Sequence, residues 1–194
     1  MTPPAPIRAA IGLGSNLGDR RGHLRAAVAA LSRLGDIEAV SPIYETAPVG
    51  GPPQGSYLNA VVVLRTRLAP RDLLLECLAI ERARGRQRRE RGGPRTLDLE
   101  LLLYGDRAID EPGLRVPHPE IARRRFVLGP LLDVWPGAAL PDGSSLASLL
   151  PGVADQEVVR AGRLDPVCRS RATLLLAAGI VAALVAARAV QRRR

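Results

Sequence analysis

One stretch constrains this chain more than any other: Leu97 to Tyr104, an apolar run that carries two acids, Asp98 and Glu100, two positions apart. With Leu97, Leu99, Leu101, Leu102 and Leu103 around them, the run reads as a buried strand. Side chains alternate faces along a strand, so residues i and i+2 point the same way. Just upstream, residues 82 to 95 hold seven arginines: Arg82, Arg84, Arg86, Arg88, Arg89, Arg91 and Arg95. Paired acids on a rigid strand beside a cationic loop suit a divalent metal holding a polyphosphate. Mg²⁺ takes hard oxygen ligands and binds through one or two carboxylates plus substrate phosphates. The planar, multi-donor head of arginine suits phosphate oxygens.

The neighbouring runs give an order of elements. Ile7 to Leu13 is a short apolar strand that ends in the turn Gly14-Ser15-Asn16-Leu17-Gly18-Asp19, where Asp19 is placed to cap a helix. From Arg20, the residues Leu24, Val28, Leu31 and Leu34 recur with a helical period. Ile37 to Val49 is β-like, with Pro42 marking an edge or a bulge. After a glycine- and proline-rich loop at 50–56, Tyr57 to Thr66 alternates and is β-branched, as a strand is. Pro70 suits a first helical turn, and Leu73, Leu74, Cys77, Leu78 and Glu81 carry that helix to about Gly85. The strand from Leu97 follows, and short helices run through Val134 after Pro117-His118-Pro119. The order β-α-β-β-α-β predicts an α+β, ferredoxin-like fold with an antiparallel sheet, followed by a C-terminal apolar helical tail.

Charge is uneven along the chain. Its 194 residues suffice for one domain with a core, plus appendages. All 28 basic residues are arginines and the net charge is +9, of which the last 28 residues supply +6 and residues 1–166 only +3. A global nucleic-acid-binding surface is therefore not indicated. Cys77 and Cys168 have no metal-like or redox spacing, and Cys77 falls in an apolar helical pattern as a small core residue. The N-terminus lacks the basic and apolar regions of a signal peptide, which makes a reducing cytoplasm the default.

Residues 172–187 are sixteen uncharged positions flanked by arginines, and letting Arg188 snorkel extends the run to Val190. A membrane span needs about 20 apolar residues. The expected division is a disordered segment 1–6, a main domain 7–158, a linker 159–171, an apolar helix 172–190 and a basic terminus 191–194. That helix either contacts the inner face of a membrane as an anchor or packs in soluble form.

Four ordered segments carry a family likeness: Ile11-Gly-Leu-Gly-Ser-Asn-Leu-Gly-Asp19; Ser41-Pro-Ile-Tyr-Glu-Thr-Ala-Pro-Val-Gly50 with Gln54 and Tyr57-Leu-Asn59-Ala; Gly93-Pro-Arg-Thr-Leu-Asp-Leu-Glu100; and Val116-Pro-His-Pro119 with Arg124 and Phe126. From about Ile7 to Leu150 the chain resembles the 6-hydroxymethyl-7,8-dihydropterin pyrophosphokinases of folate biosynthesis. The resemblance implies that the main domain is a monomeric diphosphokinase without a nucleic-acid partner. It would transfer pyrophosphate from ATP to a dihydropterin, with two Mg²⁺ ions aligning nucleophile and leaving group.

By the same resemblance, Asp98 and Glu100 hold the metal, and Asp98 lies beside the substrate hydroxyl. Arg86 and Arg95 act on the reacting phosphates, with Glu81, Arg88, Arg91, His118 and Arg124 also on the ATP side. Thr46, Val49, Tyr57, Asn59 and Phe126 meet the pterin. Arg123 or Arg125 could replace Arg124 in a shifted register. Arg82, Arg84 and Arg89 read as solvated charges, and His23 as an exposed helix residue without a partner.

Three positions depart from the family pattern, all near ATP. Glu100 stands where a second aspartate is usual, Gly92 where a tryptophan often covers the substrates, and Leu78 where a glutamine commonly faces the nucleotide. They motivate a second reading, a relative with weakened catalysis that still binds pterin or nucleotide. A third, an RNA-binding ferredoxin-like module, lacks the aromatic-rich strand on which such modules stack bases.

Overall fold

In chain order the elements are β1 (Ile7–Ser15), α1 (Arg20–Leu31), β2 (Asp36–Val40), β3 (Tyr44–Thr46), β4 (Tyr57–Thr66), α2 (Pro70–Ala83), β5 (Asp98–Tyr104), the hairpin β6 (Ile109–Glu111) and β7 (Leu114–Val116), α3 (Arg125–Val134) and β8 (Val159–Arg160). They are taken from a computed structural model that describes residues 4–87 and 92–164. β1 is central: it pairs antiparallel with β4 on one side and β5 on the other. β2 and β3 both pair with β4, and β8 adds to the outer edge of β3. The sheet is antiparallel throughout, and the ferredoxin-like order holds with one refinement.

That refinement is the second strand, which is split in two. Pro42 has no N–H to give to a ladder. Beside it, the buried Ser41 hydroxyl accepts from Val61 N at 2.9 Å, substituting for a ladder bond. The β-like run Ile37–Val49, expected with an edge or a bulge at Pro42, becomes β2 and β3, separated by Ser41-Pro42-Ile43.

Alternation along the strands divides the core between two layers. Ala9, Ile11 and Leu13 of β1, Leu58, Val62 and Leu64 of β4, and Leu99 and Leu101 of β5 pack with Leu24 and Leu31 of α1 and Leu73 of α2. Ala10, Val61, Leu102 and Leu103 pack on the other face with Leu128 and Leu131 of α3. A register shift between Ala10 and Ile11 leaves Leu102 as an extra residue in β5, a bulge that puts both Leu102 and Leu103 into the α3 layer. The bulge lies just past the two acids.

Asp19 caps α1 as its position suggests, accepting from Gly22 N at 2.8 Å. The helix stops at Leu31, three residues before the last apolar position of the pattern. Residues 159–162, expected as the head of a linker, instead border the sheet. Ala161 N donates to Ile43 O and Ile43 N to Gly162 O, both at 2.8 Å. Of the expected disordered residues 1–6, Pro4 accepts through its carbonyl from Arg67 Nε at 3.2 Å. The expected helix 172–190 and basic terminus 191–194 lie outside the described residues. Among the described residues, no helix is long and apolar enough to cross a membrane.

Cys77 is fully buried in α2, and burial pushes its thiol up to about 12, with Glu81 and Glu76 adding to the effect. A Cys168→Ala protein should therefore show no reaction with a disulfide reagent at pH 8 until it is denatured. Stoichiometric labelling of the folded protein would contradict this placement.

Candidate active site

The site begins as a gap in the sheet. Gly14 of β1 is in register with Asn59 of β4 on one side and Asp98 of β5 on the other. A Cβ on Gly14 would stand 3.4 Å from Asn59 Oδ1 and 3.7 Å from Asp98 Cβ. Glycine inside a strand commonly marks such a close approach. Here it keeps open a slot between an amide and a carboxylate on the α3 face of the sheet.

Two adjoining cavities meet over that slot. The larger, about 1000 Å³, is lined on one side by Thr46, Val49, Tyr57, Asn59 and Phe126. The smaller, about 540 Å³, is lined by Leu74, Leu78, Glu81, Leu114 and His118. Arg86, Arg95, Asp98 and Glu100 border both. The four residues chosen from sequence for metal and phosphate chemistry thus form the junction.

Asp98 is clamped by two guanidinium groups. Arg86 bridges Glu81 and Asp98, and Arg95 pairs with the other Asp98 oxygen. Burial alone would raise the Asp98 carboxyl, but Arg86 and Arg95 outweigh it and hold the group below the usual carboxylate range. Glu81 is 2% exposed, and its Oε1 also accepts from Leu99 N at 2.8 Å. This carboxylate, expected on the ATP side, is engaged with Arg86 and with the backbone of β5. It acts on the cavity through Arg86.

Glu100 points the same way as Asp98 and meets Arg124 Nη1 at 3.2 and 3.4 Å. His118 Nε2 lies 3.8 Å from Glu100. His118 Nδ1 accepts from Glu120 N at 3.2 Å, so a neutral ring carries its proton on Nε2, toward Glu100. Arg125 is turned away to Ala154 O and Gln156 O, and Arg123 is exposed. The register with Arg124 at Glu100 is the one adopted.

On the opposite wall, Asn59 Nδ2 donates to Thr46 Oγ1 at 2.9 Å, which directs Oδ1 at the slot over Gly14. Tyr57 and Phe126 each carry an arginine near the ring, Arg95 at 6.0 Å and Arg124 at 5.8 Å from the centroids. Val49 is 82% exposed and stands at the rim. Arg88, Arg89 and Arg91 lie outside the described residues.

His23 and Arg84, read from sequence as separate solvated groups, are in fact partners. Arg84 Nε donates to His23 Nδ1 at 3.2 Å, joining the start of α1 to the end of α2. Gly92, where a bulkier residue was the family expectation, has φ +73° and sits against Gly51. A Cβ on Gly51 would lie 2.5 Å from Gly92 O, so the two loops meet backbone to backbone.

Residue-by-residue reading missed Gly12 and Gly14 as the floor of the site. Their alternate spacing in β1 was the available signal. It also missed Asn16 and Gln54, whose hydrogen bonds tie the two loops together. No group of three or more His, Cys, Asp or Glu that could hold a metal occurs among the described residues. Two hard-oxygen carboxylates on one strand face instead suit a cation that completes its shell with phosphate and water, as Mg²⁺ does.

The profile of the 7,8-dihydro-6-hydroxymethylpterin-pyrophosphokinase family matches residues 10–136. The chain belongs to that family. It is 47% identical over 145 residues to the 2-amino-4-hydroxy-6-hydroxymethyldihydropteridine pyrophosphokinase of Pseudomonas aeruginosa, covering 74% of this chain and 90% of that protein. To the Aquifex aeolicus protein of the same name it is 40% identical over 131 residues, 68% and 82% of the two chains. Among solved structures, wild-type HPPK-DHPS of Plasmodium falciparum aligns with a TM-score of 0.59 at 14% identity, over 76% of this chain and 44% of that one. The chain thus spans less than half of that longer protein, and the likeness is one of fold.

Burial, then Arg84, lower the His23 pKa, with Asp19 opposing. A depressed histidine favours folding above its unfolded pKa of about 6.5, and the contribution is lost as pH falls through the lower folded value. In urea titrations from pH 7 to 5, the native protein should therefore lose more stability than a His23→Gln variant. Parallel pH profiles would show that folding does not lower the His23 pKa.

Proposed function

We propose that the chain transfers the pyrophosphoryl group of ATP to the hydroxymethyl oxygen of 6-hydroxymethyl-7,8-dihydropterin, yielding the pterin diphosphate and AMP in folate biosynthesis. The observation that carries this reading is the junction of two cavities at Asp98, Glu100, Arg86 and Arg95. The pterin enters the larger cavity between Tyr57 and Phe126, with Asn59 and Thr46 at its edge and Val49 at the rim. ATP enters the smaller one against Leu74 and Leu78, with His118 and Arg124 on its phosphates.

The pterin oxygen attacks the β-phosphorus and gives up its hydroxyl proton to water, the bond from that phosphorus to the α–β bridging oxygen breaks, and AMP leaves with the electron pair. Two Mg²⁺ ions held by Asp98 and Glu100 would offset the negative charge gathered on the phosphates. Arg86 and Arg95 exchange Asp98 for phosphate oxygens, which leaves the carboxylate beside the substrate hydroxyl. Arg88 and Arg91 belong to the same phosphate-facing set in this reading. The longer Glu100 must fold back or shift the metals, and a displacement of about 1 Å can cost on the order of 10²-fold in rate.

The test is release of AMP from Mg-ATP and the pterin. Turnover should be abolished by a chelator and fall by roughly 10²-fold or more in Asp98→Ala. Intact pterin binding with no AMP would favour the weakened relative, and a gain in Glu100→Asp would then locate the defect. An RNA-binding role finds little support, because the open face of the sheet presents Asp98 and Glu100 where bases would stack.

The same reading has a monomeric domain, residues 7–158 with the bordering strand β8, working in the cytoplasm. Bilayer contact by residues 172–190 is a separate proposal. The full chain should sediment with vesicles and a chain ending at residue 164 should not.

A further inference from the structure

Two amides that line up behind the site are engaged at every polar atom. Asn16 is 8% exposed; its Oδ1 accepts from Arg95 N at 2.7 Å, and its own N–H donates to Arg95 O at 3.1 Å. Its Nδ2 donates to Gln54 Oε1 at 2.8 Å and to Gly55 O at 3.3 Å. Gln54 Oε1 also accepts from the Tyr57 hydroxyl at 3.1 Å, and Gln54 Nε2 donates to Gly92 O at 2.8 Å. The chain of bonds therefore runs from the backbone of Arg95, which grips Asp98, to the hydroxyl of Tyr57, whose ring the Arg95 guanidinium faces at 6.0 Å.

We infer that Asn16 and Gln54 are positioning residues that hold Arg95, on the phosphate side, and Tyr57, on the pterin side, in one fixed register across the site. This rests on the pyrophosphokinase reading and extends it to two residues that touch neither phosphate nor reacting oxygen. The amide orientations are mutually determined. Asn16 must give its acceptor to Arg95 N, so it has only a donor left for Gln54. Gln54 must then answer with Oε1, which leaves Nε2 for the Gly92 carbonyl. Where Gly51 and Gly92 pack backbone to backbone, Gln54 Nε2 donates to Gly92 O and the Tyr57 hydroxyl reaches Gly93 O at 3.5 Å. The amide pair holds the two loops at that separation. An in-line transfer between two ligands needs both walls placed to within a fraction of an ångström.

Three variants test it: Gln54→Leu, Asn16→Asp and the double. Asn16→Asp keeps the acceptor for Arg95 N but removes the donor to Gln54, so the Gln54 amide must flip and turn its oxygen on Gly92 O. Each single variant should lower kcat by about 10- to 100-fold. The double should be no worse than the weaker single, because both break the same link. Thermal midpoints should stay within a few degrees of the native protein, and ATP binding alone should be unchanged within about twofold. If the amides couple the two walls, a non-hydrolysable ATP analogue should raise pterin affinity in the native protein, measured by calorimetry, and that rise should disappear in all three variants.

Native kcat in either single variant would overturn the inference, as would multiplicative losses in the double, or activity losses that simply track falling thermal midpoints. An inactive native protein would count against the pyrophosphokinase reading instead. The calorimetric comparison would still decide the coupling role.

Discussion

The register that places Gly14 between Asn59 and Asp98 is the constraint on which the rest of the molecule depends. β1 pairs with β4 and β5 at once, so any slip of one residue would turn the two acids into the layer beneath α1 and α2. The apolar partners forbid this. Leu99 and Leu101 are nearly fully buried against the helices, and Asp98 and Glu100 must then face the other way. The site is thus the back of the core: the leucines that make β5 stable also aim its carboxylates.

Charge is arranged with the same economy. Asp98 is paired with Arg86 and Arg95, and Glu100 with Arg124, so the junction holds both signs in contact. An isolated buried carboxylate would be strongly unfavourable. Arg86 and Arg95 hold the Asp98 carboxyl below the usual carboxylate range, and in the proposed reaction they would turn to phosphate oxygens. Glu81 completes the arrangement by holding Arg86 near the junction while its other bond fixes Leu99.

Much of this was legible in the sequence because it is local and periodic. The i, i+2 acids in a leucine run, the proline opening α2 and the alternation of β4 each have a signature within a few residues. The arginine clamp was foreshadowed by composition, although the pairing of Arg86 with Glu81 and Asp98 was not. What escaped notice depends on contacts between distant segments. Asn16 reaches Gln54 across 38 positions and Arg95 across 79, and no pattern in either segment announces the other. The His23–Arg84 pair and the return of residues 159–162 to β3 are of the same kind. Glu81 reads from sequence as an ATP-side acid, whereas its bonds to Leu99 N and Arg86 depend on which face of α2 meets β5 and have no local signature.

The return of β8 has a consequence for anyone shortening this chain. β3 is three residues long, carries Thr46 into the larger cavity, and borrows its outer ladder bonds from residues 159–162. Cutting at residue 136, where the family match stops, would strip that border and leave a naked β edge beside the larger cavity. Exposed edges recruit other strands. A fragment designed as a minimal catalyst would carry a self-associating flank, whereas one ending near residue 164 keeps its hem.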